Sequence, residues 1–113
     1  MNSNQVIIRL KDTLFKPYDD FTNVYIVTVE DKFETEFGDG EYQDIEKCFW
    51  NLNEAKEFLE IKKTVQTHIY RILTVKICID MENNLILKNR LPYIYETINI
   101  NRIISSLNNE LCY

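Results

Sequence analysis

Apolar and polar positions change period several times along this chain, and each change marks an element. Gln5–Leu10 is a short β-prone run, read as an edge strand closed by Lys11-Asp12, and Asp12–Asp20, with Pro17, reads as a loop. Asn23–Phe37 is predicted to be a long strand, because Val24-Tyr25-Ile26-Val27-Thr28-Val29 is rich in β-branched residues. Gly38-Asp39-Gly40 is a hairpin signal, and Glu41–Trp50 is the returning strand. Asn51-Leu52-Asn53-Glu54 has capping-box spacing and starts a helix from Leu52 to about Thr64. Its apolar stripe is Leu52, Ala55, Phe58, Leu59 and the stem of Lys62. Thr67–Met81 is a second long strand, with Ile69, Leu73, Val75, Ile77 and Ile79 on one face. Glu82-Asn83-Asn84 turns it into a short strand, Leu85–Lys88. Pro92 breaks that run, and Ile94–Tyr113 ends in a helix with Ile100, Ile103, Ile104, Leu107 and Leu111 on one side. The order β-β-β-α-β-β-α predicts a single α+β domain over residues 1–113, an antiparallel sheet with two helices packed on one face.

Chemistry argues for a hairpin register. A three-residue loop at Gly38–Gly40 sets Phe33 opposite Ile45, Val29 opposite Phe49, Asp31 opposite Lys47 and Lys32 opposite Glu46. A two-residue loop there pairs Phe33 with Glu46 and Lys32 with Lys47; like charges opposite each other cost roughly 0.2–1 kcal/mol, and a mixed face cannot be buried. The three-residue loop is therefore expected. It collects Val27, Val29, Phe33, Ile45 and Phe49 inside, and Glu30, Glu34, Glu36, Tyr42, Asp44, Glu46 and Trp50 outside, with Glu34 facing Asp44.

Charge sharpens the interest of that outer face. Residues 30–46 hold eight carboxylates (Glu30, Asp31, Glu34, Glu36, Asp39, Glu41, Asp44, Glu46) against one cation, Lys32. The remaining ten acids and twelve bases leave the rest slightly positive, so the net charge of -5 belongs to one segment. A concentrated field steers a cationic partner; a diffuse one mainly keeps a protein soluble. At 113 residues, with 45% hydrophobic positions, the chain can bury a core without staples and is not of the disordered class. One Ala against abundant Ile, Asn, Lys and Tyr reads as AT-rich coding.

Candidate chemistry is sparse. Cys48, Cys78 and Cys112 show no CxxC spacing, and Val6-Ile7-Ile8 before Arg9 is too short for a signal peptide or a span; both point to a reducing, cytoplasmic setting. His68, the only histidine, is the one candidate base for a Cys48 or Cys78 nucleophile, but small apolar residues are expected where those cysteines stand. Glu34, Glu36, Asp39, Glu41 and Asp44 fail the EF-hand spacing, and Gly38 and Gly40 lie among carboxylates, where no phosphate would bind. Basic residues are scattered as Lys62-Lys63, Arg71, Lys88 and Arg90, without the stripe that nucleic acid needs. The expectation is a non-enzyme without metal or cofactor, with no direct nucleic-acid or membrane partner.

An acidic run is usually a solvated face that blocks edge-to-edge pairing. Strands are nevertheless depleted in Asp and Glu, and a broken local rule without visible compensation points to function. The expected partner-binding residues are Glu34, Glu36, Asp39, Glu41, Tyr42, Asp44, Glu46 and Trp50, set against a Lys/Arg-rich surface of a larger protein. No family motif can be matched. In general character the chain resembles the small acidic orphan proteins that phages and mobile elements use against host defence, anti-CRISPRs among them. That resemblance implies an inhibitor or adaptor in the host cytoplasm, and transfers no residue. The alternative is a housekeeping or regulatory α+β module that binds a small molecule or forms a homodimer through its sheet.

Overall fold

The computed structural model describes residues 3–65, 68–92, 95 and 97–109, without the side chains of 3–4, 32–35, 39–42, 65 and 109. The elements are α1 (Ser3–Thr13), β1 (Thr22–Thr35), β2 (Gly38–Phe49), α2 (Leu52–Val65), β3 (Ile69–Ile79), β4 (Leu85–Leu87) and α3 (Ile100–Asn109). The strands form one antiparallel sheet in the order β2-β1-β3-β4. The α+β class and the antiparallel sheet are those expected.

The first element differs. Val6-Ile7-Ile8 favours a strand locally, yet the run is helical. Val6, Leu10 and, just past the helix, Leu14 recur every four residues and are all buried; helical rise brings successive ones within about 6 Å along the axis, where a strand would string them about 13 Å apart. Beyond α1, the carboxylate of Asp20 accepts from the amides of Phe15 and Lys16, closing the loop.

Two helices do share one face, but they are α1 and α3. Their cluster joins Val6, Leu10, Val24, Ile26, Cys48, Val75, Ile77, Ile103, Ile104 and Leu107. α2 covers the opposite face through Ala55, Phe58 and Leu59, over Val27, Phe49, Tyr70 and Ile72. The alternation of β1 serves both clusters, which is why Val24–Val29 is an apolar run interrupted only by the buried Thr28. Each fully buried Ile or Leu contributes roughly 1.5–3 kcal/mol.

Helix starts follow the capping chemistry. The side-chain oxygen of Asn51 accepts from the amides of Asn53 and Glu54, opening α2 at Leu52 as expected. Asn99 does the same for Arg102, so α3 opens at Ile100. Residue 94, the expected start, and residues 110–113 lie outside the described residues, Leu111 and Cys112 with them.

The hairpin register also differs. The turn is Glu36-Phe37, with Thr35 opposite Gly38, and the ladder pairs Phe33 with Gly40, Lys32 with Glu41, Asp31 with Tyr42 and Val29 with Asp44. Gly38 takes φ +123, a conformation that L side chains rarely adopt, so it ends the turn instead of opening the loop. An irregularity between Val27 and Thr28 shifts the register: Val27 faces Lys47 and Thr28 faces Ile45, leaving Glu46 between them. The expected register assumed one buried face. With helices on both faces that constraint is absent, and the bulge reconciles the two ends of the hairpin.

Candidate functional site

The β1–β3 ladder stops at Glu30 opposite Ile69, whereas β1–β2 continues to Thr35 opposite Gly38. Residues 31–42 are therefore a two-stranded ribbon beyond the sheet. Five residues past Glu30, at about 3.3 Å each, carry its tip roughly 15 Å outward. The ribbon holds Asp31, Glu34, Glu36, Asp39 and Glu41 against Lys32. Glu36 is exposed, and beside it Phe37 is 93% exposed at the turn.

The carboxylates at the ribbon's base are engaged differently. Glu30 accepts from Nε of Arg71 at 3.1 Å and from the hydroxyl of the buried Tyr95 at 3.0 Å. Burial, and next the hydrogen bond to Glu30, push the Tyr95 phenol above its ordinary pKa. Asp44 holds Arg102 of α3, whose guanidinium also donates to the carbonyl of Thr97. Glu46 holds Lys62 of α2 at 2.8 Å; that hydrogen bond is the main cause raising the lysine's pKa. Nδ1 of His68 lies 3.3 Å from Asp31. Four of the eight carboxylates are thus matched to side chains on β3, α3 and α2 or beside them, and clamp the hairpin's root to the body.

The eight residues expected to bind a partner therefore separate. Glu36 stands on the projecting tip, and Glu34, Asp39, Glu41 and Tyr42 lie on the same ribbon by register, their side chains outside the described residues. Asp44 and Glu46 face helices on opposite sides of the sheet. Trp50 is half-buried against the α1/α3 core, with the Arg9 guanidinium 4.6 Å from its ring centre. Sequence reasoning missed Phe37. Its signal was a large apolar residue directly before a glycine in a turn, where polar residues normally stand.

Cys48 is buried under α3, where its amide donates to the Ser106 hydroxyl. The Cys78 thiol is buried, and that burial raises its pKa, making it a weaker nucleophile. His68 lies ten residues from Cys78 along an extended strand, about 30 Å away, too far to act as its base. Among the described residues no three His, Cys, Asp or Glu gather as a metal-binding group, and no helix is long and apolar enough to cross a membrane. Compared with family models, with curated proteins and with solved structures, the chain matches none.

Proposed function

We propose that this chain is a non-enzymatic binding protein, an inhibitor or adaptor in the manner of phage and mobile-element anti-defence proteins, whose ribbon occupies a cationic surface of a larger protein. The observation that supports the reading is the mismatch of the two ladders at Glu30: the acidic ribbon leaves the body and carries an exposed Phe37 at its end. An aromatic anchor ringed by charge is the arrangement in which a few buried residues hold the complex and the rim steers the encounter. A groove lined by Lys and Arg, of the kind that binds nucleic acid, has the matching chemistry. Phe37 takes the anchoring part that Trp50 cannot, because Trp50 is packed against the core.

The test uses Glu34, Glu36 and Glu41, all reversed to Lys. Asp44 is left alone, since its reversal would strip Arg102 and confuse folding with binding. Wild-type and reversed chains are used as baits in lysate of the native cells, and prey lost on reversal are titrated against both at two salt concentrations. Affinity should fall at least about tenfold on reversal and should weaken steeply with salt, because exposed charges are screened within about 10 Å at 0.1 M. Phe37→Ala should act mainly on the off-rate. Identical prey, equal affinity and a flat salt response would leave the ribbon a solvated face and end the proposal.

A further inference from the structure

The face covered by α2 is covered only in part. Its apolar cluster ends at Tyr25 and Ile72. Beyond that point the alternation of β1 and β3 continues the same face through Asn23, Thr74 and Lys76, with Phe21 just before β1. Lys88, which follows β4, completes it: its amide donates to the carbonyl of Lys76, so the two lysines stand opposite each other across the ladder. The Phe21 ring, 43% exposed, has both ammonium groups 4.7 Å from its centre.

Like charges directly opposite weaken a sheet, and a cation–π contact at an exposed ring offsets only part of that. Among the described residues no carboxylate lies within 4.0 Å of either ammonium. Of the acids at this end, Asp20 closes its own loop, and Asp80 accepts from the amides of Glu82 and Asn84. Besides the Phe21 ring, the Lys88 ammonium meets the backbone carbonyl of Asp19, to which it donates. This is a surface built to receive negative charge beside an aromatic ring.

The same chain carries the matching part at its other end. β1 has 14 residues, about 45 Å at the usual rise, against a longest molecular dimension of 49 Å. Phe21 precedes its first residue and the Glu36-Phe37 turn follows its last, so the two features occupy opposite poles. One pole presents Lys76, Lys88 and Phe21; the other is the ribbon whose sequence beyond the root holds Glu34, Glu36, Asp39 and Glu41 against Lys32.

We infer that a second copy of this chain covers the Phe21 face, its acidic ribbon lying across Lys76 and Lys88. Two antiparallel copies related by a two-fold axis place both ribbons on both faces at once, which closes the assembly as a dimer and doubles the buried area. The inference uses the same ribbon as the function proposed above but stands separately, because it needs no other protein and its second half is a face that proposal does not involve.

The experiment is analytical ultracentrifugation of the purified full chain. Wild type should be dimeric at about 0.05 M salt and monomeric at about 0.5 M, where screening is nearly complete. The face variant K76E/K88E and the ribbon variant E34K/E36K/E41K should each dimerise at least about a hundredfold more weakly, because each sets like charges against like. Circular dichroism of both variants establishes that they are folded. Mixing the two is the decisive arm: ribbon and face are then complementary in both contacts, and two monomers should form a mixed dimer that high salt dissolves. Phe21→Ala should weaken the wild-type dimer. A monomeric wild type at roughly millimolar concentration in low salt, a face variant that dimerises like wild type, or a mixture of variants that stays monomeric would each overturn the inference. So would a monomer that instead binds a labelled single-stranded oligonucleotide through Phe21, Lys76 and Lys88, since that outcome assigns the face to stacked bases and phosphates. Loss of the dimer in the face variant with other partners retained would separate this inference from the proposed function.

Discussion

Replacing Glu30 by Ala asks whether a carboxylate inside an acidic run holds the fold together. Its side chain is 14% exposed and accepts from Tyr95 and from Arg71. The Arg71 end is exposed, so that pair is worth roughly 0–1 kcal/mol. The Tyr95 end is different, because its hydroxyl sits in a buried site and donates to an ionised group, an interaction worth roughly 1.5–3 kcal/mol that leaves a desolvated donor behind when the acceptor goes. Glu30→Ala should therefore cost about 3 kcal/mol, against a total of roughly 5–15 kcal/mol for a domain of this kind. Tyr95→Phe removes the donor and leaves the carboxylate with Arg71 and water, so it should cost only about 1–1.5 kcal/mol. The two variants and their combination form a cycle whose coupling should be about 1–2 kcal/mol, read by urea unfolding followed by far-ultraviolet circular dichroism. The melting temperature of Glu30→Ala should fall by about 10–20 °C. A solvated acid among like charges behaves otherwise: its removal changes stability by less than about 0.5 kcal/mol or raises it. That result would refute the clamp.

Alkaline titration offers a check on the same site. The folded pKa of Tyr95 lies above its ordinary 10.0, so the stability it brings is complete below that pH and is lost as pH rises through the folded value. The urea midpoint of wild type should converge on that of Tyr95→Phe across that window. Ile77 is fully buried between β1 and β4, and Ile77→Ala should cost roughly 2–5 kcal/mol; an unchanged melting temperature would remove β3 from the centre of the fold. Gly38→Ala meets no atom within 4 Å, so its penalty is backbone strain alone, roughly 1–3 kcal/mol, confined to the ribbon. Amide exchange should quicken in residues 31–42 and stay slow in β3; uniform loss of protection would show that ribbon and body unfold together.

The elements whose local and tertiary signals agree were legible in the chain. Asn51 names the start of α2, the alternation over Ile69–Ile79 names β3, and Ile103, Ile104 and Leu107 name the buried side of α3, because capping and periodicity are properties of a few neighbouring residues. The acidic segment, too, was visible as a run of carboxylates. Where it stands was not. The helical state of α1 depends on what Val6 and Leu10 meet on α3 and the sheet, which outweighs the β preference of Val6-Ile7-Ile8. The register depends on a bulge at Glu46 and on helices covering both faces, neither of which has a local signature. The division of the carboxylates follows from the same packing: Arg71, Arg102, Lys62 and His68 are distant in sequence and reach Glu30, Asp44, Glu46 and Asp31 only once β3, α3 and α2 are docked. The order of residues along the chain determined that charge would be concentrated in this segment; only tertiary structure decided which of those charges clamp the fold and which stand on a projecting ribbon, because pairing is a matter of distance in space.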